Sequence, residues 1–364
     1  MLLAAFDSLL SMLMPKRSRS LARMPIPLRL QVFALVVFGV WLHAVAQDTP
    51  LISGGLGFFT STNNGATSYL PIMEPLAAVP IGHRFLIETR ATLLEDFTPK
   101  GGGQDGYDHS HFVALTYLQG DYILTPHITV IGGSFLTPFG TYNERLSPFW
   151  IANFQDGPLI GGLGTMQTAT SLGGQLRGSA ISRRKYSIDY AAYFSARSGT
   201  QQFNAARSSG GRVSLYLPEE RLEVGTSYGR LLQGTQENFF GIHVWWEPKD
   251  AAFRLRSEWA RGAYGQGYWI EADYRPTQFG GLNSWVGRFE PLFRMQQTFK
   301  TSDAGSDPLP AVNTQRADFG LDYNLPHNMR ILTSYSRQFS STKDVNIWET
   351  GLTYRLLLPA RKGR

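Results

Sequence analysis

The sequence contains no cysteine, which excludes a disulfide framework, a thiolate nucleophile and a cysteine-based metal site. It also lacks an apolar run long enough for a membrane-spanning helix. The longest, Leu30 to Leu42, has 13 residues, against the roughly 20 that a helix needs to cross a bilayer. Neither a G-x-x-x-x-G-K-[ST] loop nor an H-E-x-x-H pair occurs, so phosphate-loop NTPases and the commonest zinc hydrolases find no support.

A real charge imbalance is missing as well. Lys16, Arg17, Arg19, Arg23 and Arg29 precede the Leu30–Leu42 run, and Ala44-Val45-Ala46 then offers small residues where a signal peptidase needs them. Residues 1–46 are therefore expected to be an export signal, with an uncleaved anchor as the alternative. Cleavage falls near Ala46, and Met24 is a possible true start because 24–46 is a complete signal by itself. Beyond that segment 29 Lys plus Arg face 27 Asp plus Glu, and a basic tail, 359–364, holds Arg361, Lys362 and Arg364. The body is close to neutral, so the formal net charge of +6 is no argument for a nucleic-acid partner.

What the chain does have is 38 Gly, 8 Trp, 16 Tyr and 23 Phe, and segments in which apolar and polar residues alternate. The stretch Ala252 to Pro276 sets the pattern. Phe253, Leu255 and Trp259 share one face while Arg254, Arg256 and Glu258 share the other; after Gly262–Gly265, Tyr268, Ile270, Ala272 and Tyr274 alternate with Trp269, Glu271, Asp273 and Arg275. Period two with a fully charged opposite face marks strands whose two sides meet different solvents. The pattern recurs up to 16 times, from 52–62 and 67–80 through to 346–358. Connections alternate in length. Thr125–His127, Ser182–Lys185, Pro218–Glu220, Pro248–Asp250 and Pro326–Asn328 are short, whereas Pro99–Ser110, Pro138–Met166, Ser198–Gly210 and Gln297–Gln315 are long. Short turns on one rim and long loops on the other distinguish a transmembrane barrel from a soluble meander. The expected fold is all-β, a transmembrane antiparallel up-and-down β-barrel of 16 strands, with 14 or 18 as alternatives, over residues 47–358. Pro71, Pro75 and Pro80 make 52–80 the least secure part of the wall, because proline removes ladder donors.

The uncharged face carries Tyr or Trp near strand ends, where interfacial girdles belong. The opposite face holds Arg90, Arg177, Arg254, Arg256, Glu258, Glu271, Asp273, Arg288, Glu290, Arg294, Arg316, Arg330 and Glu349. Unpaired ions cost several kcal/mol each to desolvate, so these residues are expected to line a water-filled lumen of mixed sign. The longest connection, near 138–166, carries Phe139, Trp150, Ile151 and Phe154 as apolar anchors and three prolines, so it reads as an ordered loop folded into the barrel. Its polar residues Tyr142, Asn143, Glu144, Arg145 and Asp156 are the candidate constriction; packing over the outer rim is the alternative.

Phe135-Leu136-Thr137-Pro138-Phe139-Gly140 followed by Tyr142-Asn143-Glu144-Arg145-Leu146, together with Arg288-Phe289-Glu290-Pro291 and Asp318-Phe319-Gly320-Leu321-Asp322-Tyr323, resembles the phosphate-selective porin O and P superfamily. The resemblance covers most of residues 80–358. It implies a 16-stranded, trimeric diffusion channel of the outer membrane, with phosphate as a possible solute. The family's arginine ladder and lysine cluster have no residue-by-residue match, and Leu356-Leu357-Leu358-Pro359 stands where such barrels often end on an aromatic.

Asp105, Asp108, His109 and His111 could ligate a metal, but a solvated loop of turn formers is the simpler expectation. No cofactor and no enzymatic activity are expected; His243 lies on the polar face without a serine and an acid placed to serve it. The expected partners are outer-membrane lipid, small polar or anionic solutes and two further copies of the chain. The leading function is passive diffusion through the lumen. A loop-plugged barrel acting as surface receptor, adhesin or structural protein is the alternative, and a soluble secreted β-sandwich the third.

Overall fold

The computed structural model describes residues 51–101, 105–162, 169–199, 204–234, 236–249, 251–282, 284–301 and 309–359. The expected export signal, 1–46, and residues 360–364 of the expected tail lie outside them.

Sixteen antiparallel strands form one closed barrel. They are β1 Leu51–Asn63, β2 Ala66–Ile81, β3 Phe85–Pro99, β4 Tyr107–Thr125, β5 Ile128–Leu136, β6 Thr170–Ser182, β7 Ser187–Ser195 and β8 Ser208–Leu217, then β9 Leu222–Leu231, β10 Asn238–Trp246, β11 Phe253–Arg261, β12 Gly265–Tyr274, β13 Phe289–Lys300, β14 Thr314–Asn324, β15 Met329–Ser340 and β16 Val345–Pro359. Each pairs with its neighbours in sequence, and the barrel closes between β1 and β16, from Leu51↔Pro359 to Asn63↔Ile347. Closure leaves no strand edge unpaired, as lipid requires of a spanning sheet.

The alternation in sequence becomes an alternation in exposure, with the sign that a membrane wall demands. Phe240 (51%), Ile242 (51%), Phe319 (54%) and Trp348 (58%) are exposed, while Arg256 (1%), Glu258 (2%) and Asp318 (0%) are buried. Among the described residues the one other sheet is the two-residue pairing of Ser198–Gly199 with Asn204–Ala205, too small to cover the aromatic rows, which disposes of the β-sandwich expectation. On β3 and β4 the outward face changes character at Glu95, His109 and His111: Glu95 pairs with His109 at 2.5 Å, and Phe97 stacks on the imidazole at 4.7 Å. These ionisable groups place the edge of the lipid-facing band near Leu93 and Val113, and the two strands run on beyond it. That extension shortens the expected Pro99–Ser110 loop to residues 100–106.

Residues 52–80 belong to the wall despite their prolines. β2 keeps an unbroken register with β1, whereas its register with β3 skips positions 70–71 and 74–75, so the ladder lapses where Pro71 and Pro75 have no N–H. The β1–β2 connection is the two-residue turn Asn64-Gly65, with φ of 49° and 86°. Positive φ at both central positions is the hairpin geometry that Asn-Gly supplies at least cost.

Inside the barrel lies an apolar cluster rather than water alone. Phe139, Leu146 and Ile160 from the long connection pack with Ile131, Phe135, Tyr193, Phe239 and Trp269 of the wall. Fully burying such side chains is worth roughly 1.5–3 kcal/mol each, so three of them hold the loop inside by several kcal/mol.

Candidate pore constriction

The loop leaves β5 through a closed neck. Thr137 N donates to Ala169 O at 3.0 Å, and the Asn143 amide donates to Thr137 O (3.2 Å) and Ala169 O (3.0 Å). Asn143 is thus buried in the neck and faces no aperture. The next turn, Tyr142–Leu146, is a single π-helical turn. Its start is held by one carboxylate: Glu258 Oε1 accepts from Thr141 N, from Thr141 Oγ1 (2.8 Å) and from Tyr142 N (2.9 Å). A wall anion here does the work of a cap, satisfying backbone donors of the turn. Tyr142 stands edge-on to Trp269, with ring centroids 6.3 Å apart. Burial pushes its phenol up to about 12.

The loop then crosses the lumen. Arg145 makes a two-pronged pair with Glu223 of β9, at 2.8 and 3.0 Å, and Glu144 pairs with Arg212 of β8 at 2.6 Å. On the far wall, Arg90 of β3 donates to Ser147 Oγ at 3.0 Å, and Phe149 meets Phe59 of β1 edge-on at 5.7 Å. Trp150 lies over Gly55, where a Cβ would come within 2.4 Å of its ring; only glycine admits the indole. Ile151, expected as an anchor, is instead 41% exposed, while Phe139 and Phe154 are buried as anchors should be.

Beneath the second half of the loop the wall charges join into one chain. Glu290 pairs with Arg254 (2.7 Å), Arg254 with Asp273 (2.7 Å), Asp273 with Arg256 (2.9 Å), Arg256 with Glu271 (2.7 Å) and Glu271 with Arg294 (3.8 Å). Arg294 continues to Asp318 (2.8 Å), Asp318 to Arg316 (2.5 Å) and Arg316 to Asp156 of the loop (2.8 Å). Asn153 binds Glu271 and Asp273, the Phe154 ring lies 4.5 Å from the Arg294 guanidinium carbon, and Arg330 donates to Ala152 O. The sequence suggests a wetted row of ions here; the structure seals Arg256, Arg294, Arg316 and Glu349 under the loop and pairs the arginines. Desolvation is offset by mutual pairing, which sequence alone does not display.

The expected site residues therefore divide. Arg145 (38%), Arg177 (42%), Arg254 (34%) and Asp156 (42%) keep side chains open to the interior. Tyr142, Asn143, Arg90, Arg256, Glu258, Glu271, Asp273, Glu290, Arg294, Arg316, Arg330 and Glu349 serve packing and pairing. Arg288 ends a short 3-10 turn ahead of β13 and offers its carbonyl to Asn324. Sequence reasoning overlooked Glu223, Arg212 and Ser227 as loop anchors; each looked like one more residue on a polar face.

Gly225-Thr226-Ser227-Tyr228-Gly229 has the spacing of a nucleophile elbow, but it lies in mid-strand, and Ser227 Oγ accepts from Gly140 N at 3.0 Å. His243 is buried against Glu223. Among the described residues no group of three or more His, Asp and Glu is placed to hold a metal ion.

No protein-family model matches the chain, and no curated protein matches it. Solved structures do. The chain is similar to Salmonella typhi OmpF in complex with daunomycin (TM-score 0.57, 11% identity, 84% of this chain and 97% of that one). It is similar also to OmpTdeltaL8, a loop L8 deletion mutant of the Vibrio cholerae outer membrane protein OmpT (TM-score 0.56, 9% identity, 85% and 100%). A third is the anion-selective porin from Comamonas acidovorans (TM-score 0.55, 10% identity, 85% and 100%). At these identities the likeness is one of fold, the closed antiparallel barrel.

Proposed function

We propose that the protein is an outer-membrane porin, exported by a signal in residues 1–46, through which small polar solutes diffuse passively. The observation that carries this reading is the pairing of an outward face that only lipid suits with a loop gripped across the interior, which leaves Arg145, Arg177, Arg254 and Asp156 in contact with water. Solutes pass between the loop and the uncovered wall, sorted by width and by those charges. Anions, phosphate among them, are the finer reading. Its support is the exposed guanidiniums of Arg145 and Arg177, although Glu223 and Asp121 already pair with them. Stepwise conductance of the purified protein in planar bilayers tests the channel, and a folded, heat-modifiable sample that never conducts refutes it. Reversal potential in a salt gradient then decides the sign of the favoured ion.

The breadth of the loop's grip, from β1 and β3 to β8, β9 and β11–β15, favours a second reading, a barrel plugged by its own loop and used as a surface receptor or structural protein. It requires folded barrels that stay silent in the same bilayers.

A further inference from the structure

Three adjacent turns on the short-turn rim join β2 to β3, β4 to β5 and β6 to β7. They carry His83, Arg84, His127, Arg183, Arg184 and Lys185, all exposed, and no carboxylate lies within them. Backbone and side-chain bonds stitch the three together: Ile123 N donates to Arg84 O (2.8 Å), the His127 ring meets Ser179 O (3.1 Å), and the Tyr190 hydroxyl donates to His127 O (3.2 Å). Arg84, Arg183, Arg184 and Lys185 have no ion-pair partner among the described residues. The next turn along the rim is different in kind, with Glu219 and Glu220 beside Arg221, which pairs with Glu247 at 3.3 Å. One sector of the rim is thus purely basic.

Its surroundings decide what it binds. Ile81 (37%), Tyr122 (41%), Ile181 (39%) and Tyr186 (39%) are exposed within a few residues of the cations. Apolar and tyrosine side chains at strand ends sit at the lipid boundary, so the guanidiniums and the ammonium reach headgroup depth. We propose that this sector is a docking surface for anionic phospholipid headgroups of the leaflet at that rim. The phosphodiester oxygens accept from the arginine forks and Lys185, while the acyl chains lie along Ile81, Tyr122 and Ile181. A second copy of the chain meeting this rim through the same turns would bring cations against cations, and a soluble anion would leave the apolar flank unused. The proposal rests on the reading above only in requiring that the barrel sit in a bilayer.

The test uses the whole protein in nanodiscs of phosphatidylcholine with a minority of phosphatidylglycerol, followed by native mass spectrometry of the lipids it retains. Retention of phosphatidylglycerol on the order of tenfold above its share is expected. The combined variant R84S/R183S/R184S/K185S loses that preference, R84K/R183K/R184K keeps it, and K249S, on another turn, leaves it unchanged. Heat-modifiability on gels reports that each variant is folded. Wild-type retention in proportion to composition overturns the proposal, as does a preference that survives the fourfold variant. So does wild type that shows no lipid preference while its self-association or its co-sedimentation with peptidoglycan collapses in that variant. A protein that inserts and conducts without lipid preference fails here alone; one that never inserts fails the porin reading.

Discussion

Glu258 is the residue on which the loop's seat turns. Its carboxylate oxygen takes three donors from Thr141 and Tyr142, and a buried donor left without a partner costs about 1–3 kcal/mol. Glu258→Ala should therefore weaken the seat by about 3 kcal/mol while the barrel stays closed. The expected result is new protease cleavage within 141–147 and a noisier, larger conductance; an unchanged cleavage map would show that the apolar anchors suffice. Tyr142 gives the same seat a pH dependence. Its phenol titrates at about 12 in the folded protein, against about 10 in an unfolded chain. A raised value favours the protonated form, so its contribution is whole below the unfolded value and is lost as pH rises through the folded one. Conductance at alkaline pH should rise across that window, and Tyr142→Phe, which keeps the contact with Trp269, should remove the part of the rise due to this phenol. The charge of Glu258 and the ring of Tyr142 are plain in the sequence. That they meet is not, because the meeting depends on which of several inward carboxylates the register of β11 sets beneath the turn.

Elements were legible wherever a single physical pattern governs them. Phe253 to Tyr274 alternates because one face meets lipid, and β11 and β12 lie where that alternation puts them. β2 was the doubtful one. Three prolines argued against a wall strand, yet the strand stands because β1 supplies an unbroken register; Pro71 and Pro75 fall where the pairing with β3 lapses, and Pro80 lies opposite Leu86 near the strand's end. The loop was legible as ordered and apolar, from Phe139 and Phe154, but its route was not: Gly55 makes room for Trp150, and no local feature of β1 signals it. The route predicts what removing the element does. Replacing residues 141–157 by a short Gly-Ser linker exposes Arg256, Arg294, Arg316 and Asp318, now buried, to water. Single-channel conductance should increase and the barrel should still migrate as a folded species in unheated gels. Equal conductance with and without the loop would mean that the segment does not narrow the path.

At the scale of the whole molecule the outward surface is not uniform. β10, β14 and β16 present Phe240, Trp246, Phe319 and Trp348, bulky and lipid-exposed. β1 to β5 also expose Ile52, Leu56, Phe58 and Tyr122, but set among them at outward positions are Gly54, Pro75, Ala77, Ala91, Gly120 and Gly132, which their ladders pair in rows, Gly54↔Pro75 and Gly120↔Gly132 among them. Between walls in lipid, association gains from close backbone approach, which small residues allow and aromatic ones prevent. A flat sector at mid-height facing other copies, with lipid held along the basic rim at its end and acyl chains over the bulky sector, is how a closed ring of three would divide one barrel's circumference. The expected outcome is a trimeric mass by light scattering in mild detergent, lost in the double variant Ala77→Trp and Ala91→Trp, whose side chains would stand out from the middle of the flat sector. Phe240→Ala on the opposite side should leave the mass unchanged. A monomeric mass for the wild-type protein at concentrations where it still conducts would make the single barrel the working unit and leave the flat sector to lipid.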